Sequence, residues 1–502
     1  MSAAPDYPIA ILGTGFAGLG LAIKLKQQGD DDFVVLERAG DVGGTWRDNT
    51  YPGCQCDIPS HLYSFSFAPN PNWSRLFPTQ PEIWDYLRDC TDRFGVRPHI
   101  RFNCEVRGAD WDEEHGFWRV QTADGEITAR VVVTGQGGLS EPSLPDIAGI
   151  ESFTGPVFHS AQWDHDHDLR GERIAVIGTG ASAIQFIPYI QPEAQRLTLF
   201  QRTPPWIMPH PDRPIRGWEK RLFKRFPITQ KLFRGAIYAF FESRVLPFTK
   251  KPDLLKAGEK IAKRHMAKQI PDDPELRAKL TPGYRMGCKR ILMSNTYYPA
   301  LAAPNAEVVT DPIREIRERS IVTADGTEHA VDTIILGTGF HVTELPMTNW
   351  VRGRGGKTMA DVFEGSPQAY KGTTVPGFPN LFLLTGPNTG LGHNSIVYIL
   401  ESQFAYVLDA LRVMKERRAG VVEVRAEASV RFNAKVQELM KDTVWTTGGC
   451  ASWYIDRNGL NTTLWPGWTW DYRRRTRHFD TVKYTLAPTP TPAVVPEPEP
   501  VA

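Results

Sequence analysis

Short, fully apolar runs meet glycine-rich turns twice in this chain, in the same way each time. Ile9-Ala-Ile-Leu12 runs into Gly13-Thr-Gly15-Phe16-Ala-Gly18 and continues with apolar residues at helical spacing to Leu25. Four apolar residues bounded by such a turn predict a buried strand, and the spacing after it predicts a helix. Ile174-Ala-Val-Ile177, Gly178-Thr179-Gly180 and Ala181-Ser182-Ala183 repeat the unit 165 positions later. The repetition predicts two nucleotide-binding domains in one chain. Glycines and Lys24 interrupt the run from Ile9 to Leu25, which falls short of the roughly 20 apolar residues of a membrane span.

Two later apolar runs, Val331 to Leu336 before Gly337-Thr-Gly339-Phe340 and Leu381 to Leu384 before Gly386-Pro387-Asn388, are expected to return the chain to its first domain. From about Pro214 to Met286 the pattern turns helical and basic, as in Trp218-Glu-Lys-Arg-Leu-Phe-Lys-Arg-Phe226. The expected fold class is α/β, with two Rossmann-like dinucleotide-binding domains and a helical insertion. The first domain is expected from residues 1–145 and 331–486, and the second from 146–212 and 286–330. The insertion occupies 213–285, and 487–502, rich in Pro, Thr, Val and Glu, is expected to be an extended, mobile tail.

Composition narrows the class. A chain of 502 residues exceeds one ordinary core, and 41% hydrophobic residues with a net charge of +1 argue for a globular protein and against a nucleic-acid partner. Its six cysteines show neither zinc spacing nor a dense disulfide framework, which fits a reducing, cytoplasmic setting. Cys54 and Cys56, one residue apart, are poorly placed for a disulfide and are read as packing residues. The amino-terminal residues lack the charged region and apolar core of a secretion signal. Asp164-His165-Asp-His167-Asp168 reads as a solvated loop, and no metal is expected. The basic insertion is read as a solvated helical region packed on the domains rather than as a membrane contact.

The glycine loops carry the first chemical signal. Gly13, Gly15 and Gly18 permit a tight turn that lets backbone N–H groups approach a pyrophosphate at a helix N-terminus. Glu37, 24 positions after Gly13 at the end of Phe33-Val-Val-Leu36, is suited to a ribose diol. Arg202 stands 24 positions after Gly178, where a cation would pair with the 2′-phosphate of NADPH and an acid would repel it.

Two longer motifs bring in a family. Gly43-Gly44-Thr45-Trp46-Arg-Asp-Asn-Thr-Tyr51-Pro-Gly53-Cys-Gln-Cys-Asp57 and Phe153-Thr-Gly155-Pro-Val-Phe-His159-Ser-Ala-Gln-Trp163-Asp164 resemble the two fingerprints of the Baeyer–Villiger monooxygenases, over about residues 8 to 485. The resemblance implies FAD at the first site, through Gly13, Gly15, Phe16, Gly18, Glu37, Arg38, Gly44, Thr45, Trp46 and Asp57. It implies NADPH at the second, through Gly178, Thr179, Gly180, Ala181, Ser182, Arg202, Thr203, Lys289 and Trp453. NADPH would reduce the flavin, O2 would add at its C4a position, and the peroxide would attack an apolar ketone to give an ester or lactone.

In Gly287-Cys288-Lys289-Arg290 the resemblance makes Arg290 the catalytic cation, oriented by Asp57, with Lys289 beside Arg202 at the 2′-phosphate. Leu391, His393 and Trp453 are implied to line the substrate pocket, and His159 to serve as a structural or hinge residue. Related enzymes that oxygenate sulfur or nitrogen, and a flavin-binding redox sensor without turnover, stay open as alternatives. A disulfide reductase is disfavoured because no Cys-x-x-x-x-Cys follows the first glycine loop. The oligomeric state is open.

Overall fold

Glycine positions set the course of the chain from its first strand. In the computed structural model, which describes residues 4–343 and 345–490, β1 (Tyr7–Leu12) ends at Gly13, whose φ of +94° a side chain would oppose. The turn delivers the chain into α1 (Phe16–Gln27). A Cβ on Gly18 would lie 1.9 Å from the Gly13 carbonyl oxygen, so the helix lies this close to its own strand only because that position is glycine. Ile9 and Ile11 face one buried layer with Leu19, Ile23 and Phe404, while Ala10 and Leu12 face another with Trp118 and Val132. Both faces of the strand are covered, as a parallel strand with no polar alternation requires.

Around β1 an eight-stranded sheet forms from β2 (Phe33–Leu36), β3 (Ile100–Arg101), β4 (Val106–Asp112), β5 (Phe117–Thr122) and β6 (Gly125–Thr134). β1 pairs in parallel with β2 and β6, and β4, β5 and β6 form an antiparallel meander. A second, five-stranded sheet is wholly parallel. It comprises β7 (Val157–His159), β8 (Arg173–Ile177), β9 (Arg196–Phe200), β10 (Ala306–Val309) and β11 (Thr333–Leu336), in the order β10, β9, β8, β11, β7. α2 (Ala181–Ile190) follows β8 as α1 follows β1.

β11 corrects one expectation. The run ending at Leu336 does not return the chain to the first sheet; β11 pairs with β8 and β7 in the second. The reason is a matched device in both sheets. Gly135, after β6, donates its N–H to Leu12 O (2.7 Å), and Gly337, after β11, donates to Ile177 O (2.8 Å). A Cβ on Gly13 would come within 3.1 Å of Gly135 O, and one on Gly178 within 2.3 Å of Gly337 O. Each glycine loop is therefore backed by a neighbouring strand that itself ends in glycine. The return to the first sheet comes afterwards, through β12 (Val351–Arg352) on β4 and β13 (Leu381–Leu383) on the end of β6 that β5 leaves uncovered.

The insertion is helical as expected, with α3 (Gly217–Arg225), α4 (Pro227–Glu242) and α5 (Leu255–Gln269). α6 (Ile396–Arg417), packed on α1, and α7 (Thr469–Thr476) complete the layer over the first sheet. Residues 487–490, assigned to the tail on composition, are packed instead. Ala487 ends a strand (Tyr484–Ala487) paired antiparallel with Val421–Val424, and Thr489 Oγ1 accepts from Arg130 Nη1 (3.2 Å). Residues 491–502 lie outside those described.

The Gly18 contact yields a test. Gly18→Ala places a methyl group against backbone that has no rotamer to yield, and is expected to cost about 3 kcal/mol, read as a lowered unfolding temperature against wild type in a thermal scan.

Candidate active site

The first fingerprint lies flush against the first glycine loop. Gly43 donates its N–H to Thr14 O (3.0 Å), and a Cβ on Gly44 would come within 3.1 Å of Gly15 Cα. Gly44 opens the short helix Thr45–Asp48, whose Trp46 Nε1 donates to Tyr63 Oη (3.1 Å). Phe16 is buried against Tyr63 and Phe65, with ring centroids 5.0 and 5.1 Å apart, so its contribution to the loop is its backbone. Gly15, the N-cap of α1, makes no side-chain cap, and the first turn holds no acid. The amide end of the helix is thus left for an anion.

Glu37 is buried at the end of β2, where four donors meet its carboxylate. They are Thr14 N (3.0 Å), the Thr14 hydroxyl, Ala39 N (2.9 Å) and Arg47 Nη1 (2.9 Å). Thr14 and Arg47 were not singled out from the sequence. Arg38 stands half exposed at the rim, paired with Glu141 at 2.6 Å.

The same fingerprint reaches across to the second nucleotide unit. Tyr51 Oη donates to Gln185 Oε1 on α2 (3.0 Å), and Gln185 Nε2 donates to Gln55 O (2.9 Å). Gly53, with φ of +77°, leaves room for Tyr189, whose ring a Cβ would meet at 2.2 Å. One end of the motif lines the first glycine loop and the other seats α2, which explains why so many consecutive positions are specified. α2 itself begins at Gly180 with no side-chain cap, leaving Ala181 and Ser182 at a bare helix N-terminus, and Thr179 Oγ1 donates to Thr203 O (2.9 Å).

Between the two loops the structure brings Asp57 and Arg290 together. Arg290 Nε and Nη2 donate to the two carboxylate oxygens at 2.6 and 2.8 Å, and Nη1 donates to Leu391 O at 3.1 Å. About 30% of each side chain is accessible. Desolvation opposes the charge on Asp57, but Arg290 outweighs it and holds the carboxyl below its ordinary range. Desolvation likewise opposes the charge on Arg290, and Asp57 more than restores it. Tyr454, fully buried, adjoins the pair; burial, only partly offset by Arg290, pushes its hydroxyl up to about 12. Tyr454 was likewise missed in the sequence, where its neighbour Trp453 drew attention. Trp453 is half exposed and meets the Tyr454 ring edge-on at 4.4 Å.

Lys289 and Arg202 form a second pairing, of like sign. Burial and then the charge of Arg202 lower the pKa of Lys289, and among the described residues neither cation makes an ion pair. Lys289 rests over the Tyr284 ring at 5.4 Å. Two adjacent cations without an acid of their own are suited to a phosphate.

A covalent link not foreseen from spacing joins Cys288 to Cys450, 162 residues apart, while Cys54, Cys56, Cys90 and Cys104 are free and buried. The link ties the segment carrying Lys289 and Arg290 to the one carrying Trp453 and Tyr454.

His393 is fully buried, with both ring nitrogens lacking a hydrogen-bond partner among the described residues, and its Nε2 lies 3.8 Å from Glu242 on α4. Glu242 accepts from Thr469 N (2.6 Å), Thr469 Oγ1 (2.7 Å) and Asn394 Nδ2 (2.7 Å). Leu391 is buried beside Arg290. His159 is away from Arg290's contacts, on the edge strand of the second sheet: its Nδ1 accepts from Ala161 N (3.1 Å) and its ring meets Phe340 edge-on at 5.6 Å. Burial, against a contact with the Gly339 backbone, holds its pKa below the ordinary value. His165 pairs with the Thr50 hydroxyl and His167 with Glu172 and Thr333. Among the described residues no group of three His, Cys, Asp or Glu is arranged to hold a metal.

Two uncapped glycine-loop helices facing a shared seam, one beside a buried carboxylate and the other beside two unpaired cations, define a flavoprotein oxidoreductase with a second, nicotinamide-nucleotide site. Residues 10–265 match the pyridine nucleotide-disulphide oxidoreductase family. A Baeyer–Villiger monooxygenase of Pseudomonas aeruginosa is 53% identical over 98% of this chain and 94% of its own length. Among solved structures, cyclohexanone monooxygenase from Rhodococcus sp. Phi1 bound to NADP+ superimposes with a TM-score of 0.86 at 28% identity, covering 97% of this chain and all of that one. OTEMO in complex with FAD and NADP gives 0.87, also at 28% identity and with the same coverage. The chain belongs to the Baeyer–Villiger monooxygenases, FAD- and NADPH-dependent enzymes that insert one oxygen atom of O2 beside the carbonyl of a ketone.

The cation pair makes a prediction about the nucleotide. Arg202→Ala and Lys289→Met should each raise KM for NADPH by about 10- to 100-fold and leave KM for NADH little changed, measured by steady-state NAD(P)H consumption. Because Lys289 loses its proton at lower pH than an ordinary lysine, KM for NADPH in the wild type should climb on the alkaline side. In Lys289→Met that limb should flatten.

Proposed function

We propose that this enzyme oxygenates apolar ketones with Arg290 as the fixed cation of the reaction and Asp57 as the residue that positions it. The bidentate contact between them is the observation that carries this reading. When bound and reduced by NADPH, the flavin supplies the activated oxygen. The protein's part is electrostatic. A guanidinium has five N–H donors, and Asp57 and Leu391 O engage three. The remaining two, one on each terminal nitrogen, are available to a developing oxyanion, and a guanidinium stays protonated beside a strong base. Asp57 removes the rotational freedom that would let the side chain turn to solvent.

The uncapped N-terminus of α1 suits the flavin pyrophosphate, and Glu37 its ribose. Of the four donors on Glu37 the Thr14 hydroxyl is the rotatable one, and a ribose hydroxyl would displace it. Phe16, Gly44, Thr45 and Trp46 border this cradle, and Arg38 lies at its rim. The bare start of α2 with Thr179 and Thr203 suits the NADPH pyrophosphate. Leu391, His393 and Trp453, with Tyr454, form the substrate wall, and their mainly apolar character favours an apolar ketone. His159, held by Ala161 N and the Phe340 ring, has a structural task at the edge of the second sheet. The NADPH requirement and four free cysteines fit a cytoplasmic enzyme, whereas the Cys288–Cys450 disulfide is unusual in a reducing setting.

Arg290→Ala should lower ester formation by about 10³-fold while flavin reduction by NADPH stays within about threefold, as followed by stopped-flow absorbance and product mass spectrometry. An Arg290→Ala enzyme that still makes ester at the wild-type rate overturns the assignment. Asp57→Ala should lose about 10- to 100-fold, with Asp57→Asn between the two because the amide keeps one acceptor for the guanidinium. Since the carboxyl of Asp57 is held low, acid should not remove its contribution until the pH falls below the ordinary carboxylate range.

A further inference from the structure

α4 turns a broad apolar stripe outward. Its inner face is mixed: Phe233, Ile237 and Phe241 pack inward beside Gln230, Arg234, Tyr238 and Glu242, which lie four residues apart along the same side. Gln230 Nε2 donates to Asn70 O (2.8 Å), Arg234 Nη1 to Ser64 O (2.9 Å), and Tyr238 stacks on Tyr398 at 4.8 Å and bonds the Thr469 hydroxyl (3.0 Å). The outer face carries Ile228, Leu232, Gly235, Ala236, Ala239 and Phe240, all exposed. At 100° per residue these positions span an arc of about 140°. Ile228, Leu232 and Phe240 are each more than 60% exposed, at 61, 67 and 63%. A helix in contact with water turns polar residues outward, and an exposed apolar stripe of this kind marks a surface that is covered in use.

Charge selects what covers it. Residues 213–269 hold sixteen Lys and Arg against four Asp and Glu, a net +12 that leaves −11 on the rest of a chain whose total is +1. Among the described residues, only Arg213 and Lys256 of the sixteen cations make ion pairs. Next to the stripe stand exposed Arg221, Lys224 and Arg225 on α3, which packs against α4, and Lys231 on α4 itself. Trp218 and Phe226, 54% exposed each, extend the apolar surface along α3. A second copy laid face to face would set +12 against +12, and a nucleic acid would have no use for exposed Ile, Leu and Phe. We propose that the outer face of α4, with the basic residues beside it, docks on an anionic lipid surface, the apolar stripe entering the interface and the cations meeting the headgroups.

The test uses the purified holoenzyme and two kinds of vesicle, phosphatidylcholine alone and phosphatidylcholine with about a third phosphatidylglycerol. Wild type should co-sediment with the anionic vesicles, at least tenfold more than with the neutral ones, and less as salt is raised. The triple variant Ile228→Ser, Leu232→Ser, Phe240→Ser should lose at least tenfold of that partition. So should Lys224→Glu with Arg225→Glu, which leaves the stripe intact. Both should keep wild-type turnover in vesicle-free buffer and a wild-type unfolding temperature. Wild type that ignores anionic vesicles overturns the proposal, and so does a triple variant that binds them as wild type does. A wild-type dimer by light scattering that the triple variant converts to monomer assigns the face to a second copy instead and equally overturns it.

Discussion

The contact between Asp57 and Arg290 is the constraint on which the active site depends. Asp57 closes a fingerprint that begins against the first glycine loop, and Arg290 lies in the segment that returns from the insertion to the second sheet. With about 30% of each side chain accessible, the pair is a modest stability device, contributing about 1–2 kcal/mol after screening. Its larger consequence is geometric. Three of five donors are committed and two remain, so the cation is fixed in direction, which is what the proposed oxygenation asks of it.

Other contacts hold the parts that this pair unites. The fingerprint spans Gly43 at one glycine loop and Tyr51 and Gln55, which bond Gln185 of α2, at the other, so that loop-to-loop distance is set by one continuous backbone. The Cys288–Cys450 link adds the Trp453–Tyr454 segment to the same assembly. Lys289, adjacent to Arg290 in the chain, lies beside Arg202 rather than an acid, so in the proposed reading consecutive residues serve the nucleotide and the oxygenation separately. Glu242 anchors the insertion beside the buried His393, so the helix whose outer face is proposed to meet lipid has its inner face against a residue of the proposed substrate wall.

Sequence reasoning reached far because much of this protein is local. The strand, glycine turn and helix of each nucleotide unit are specified by some twelve consecutive residues, since only glycine accepts the positive φ at Gly13 and Gly178 and the close approach at Gly18. The identity of Arg202 at the position corresponding to Glu37, and the pairing of Asp57 with Arg290 through the family motifs, were also legible. The placement of β11 was not, because the same apolar run with a glycine end closes either sheet, and only the backbone contact between Gly337 and Gly178 distinguishes them. Thr14, Arg47 and Tyr454 carry no spacing signal and acquire meaning from neighbours distant in the chain.

Local chain geometry, then, was determined by the sequence alone: where the strands turn, which loops can approach a phosphate, and which sign of charge stands beside each. Tertiary structure decided what long-range packing decides. It joined Cys288 to Cys450, set two unpaired cations side by side, and chose which face of α4 is buried. α4 has apolar residues on both sides, and the side with Phe233, Ile237 and Phe241 is the buried one because its polar residues find hydrogen-bond partners on other elements, at Asn70, Ser64, Asn394 and Thr469, which no periodicity within the helix records.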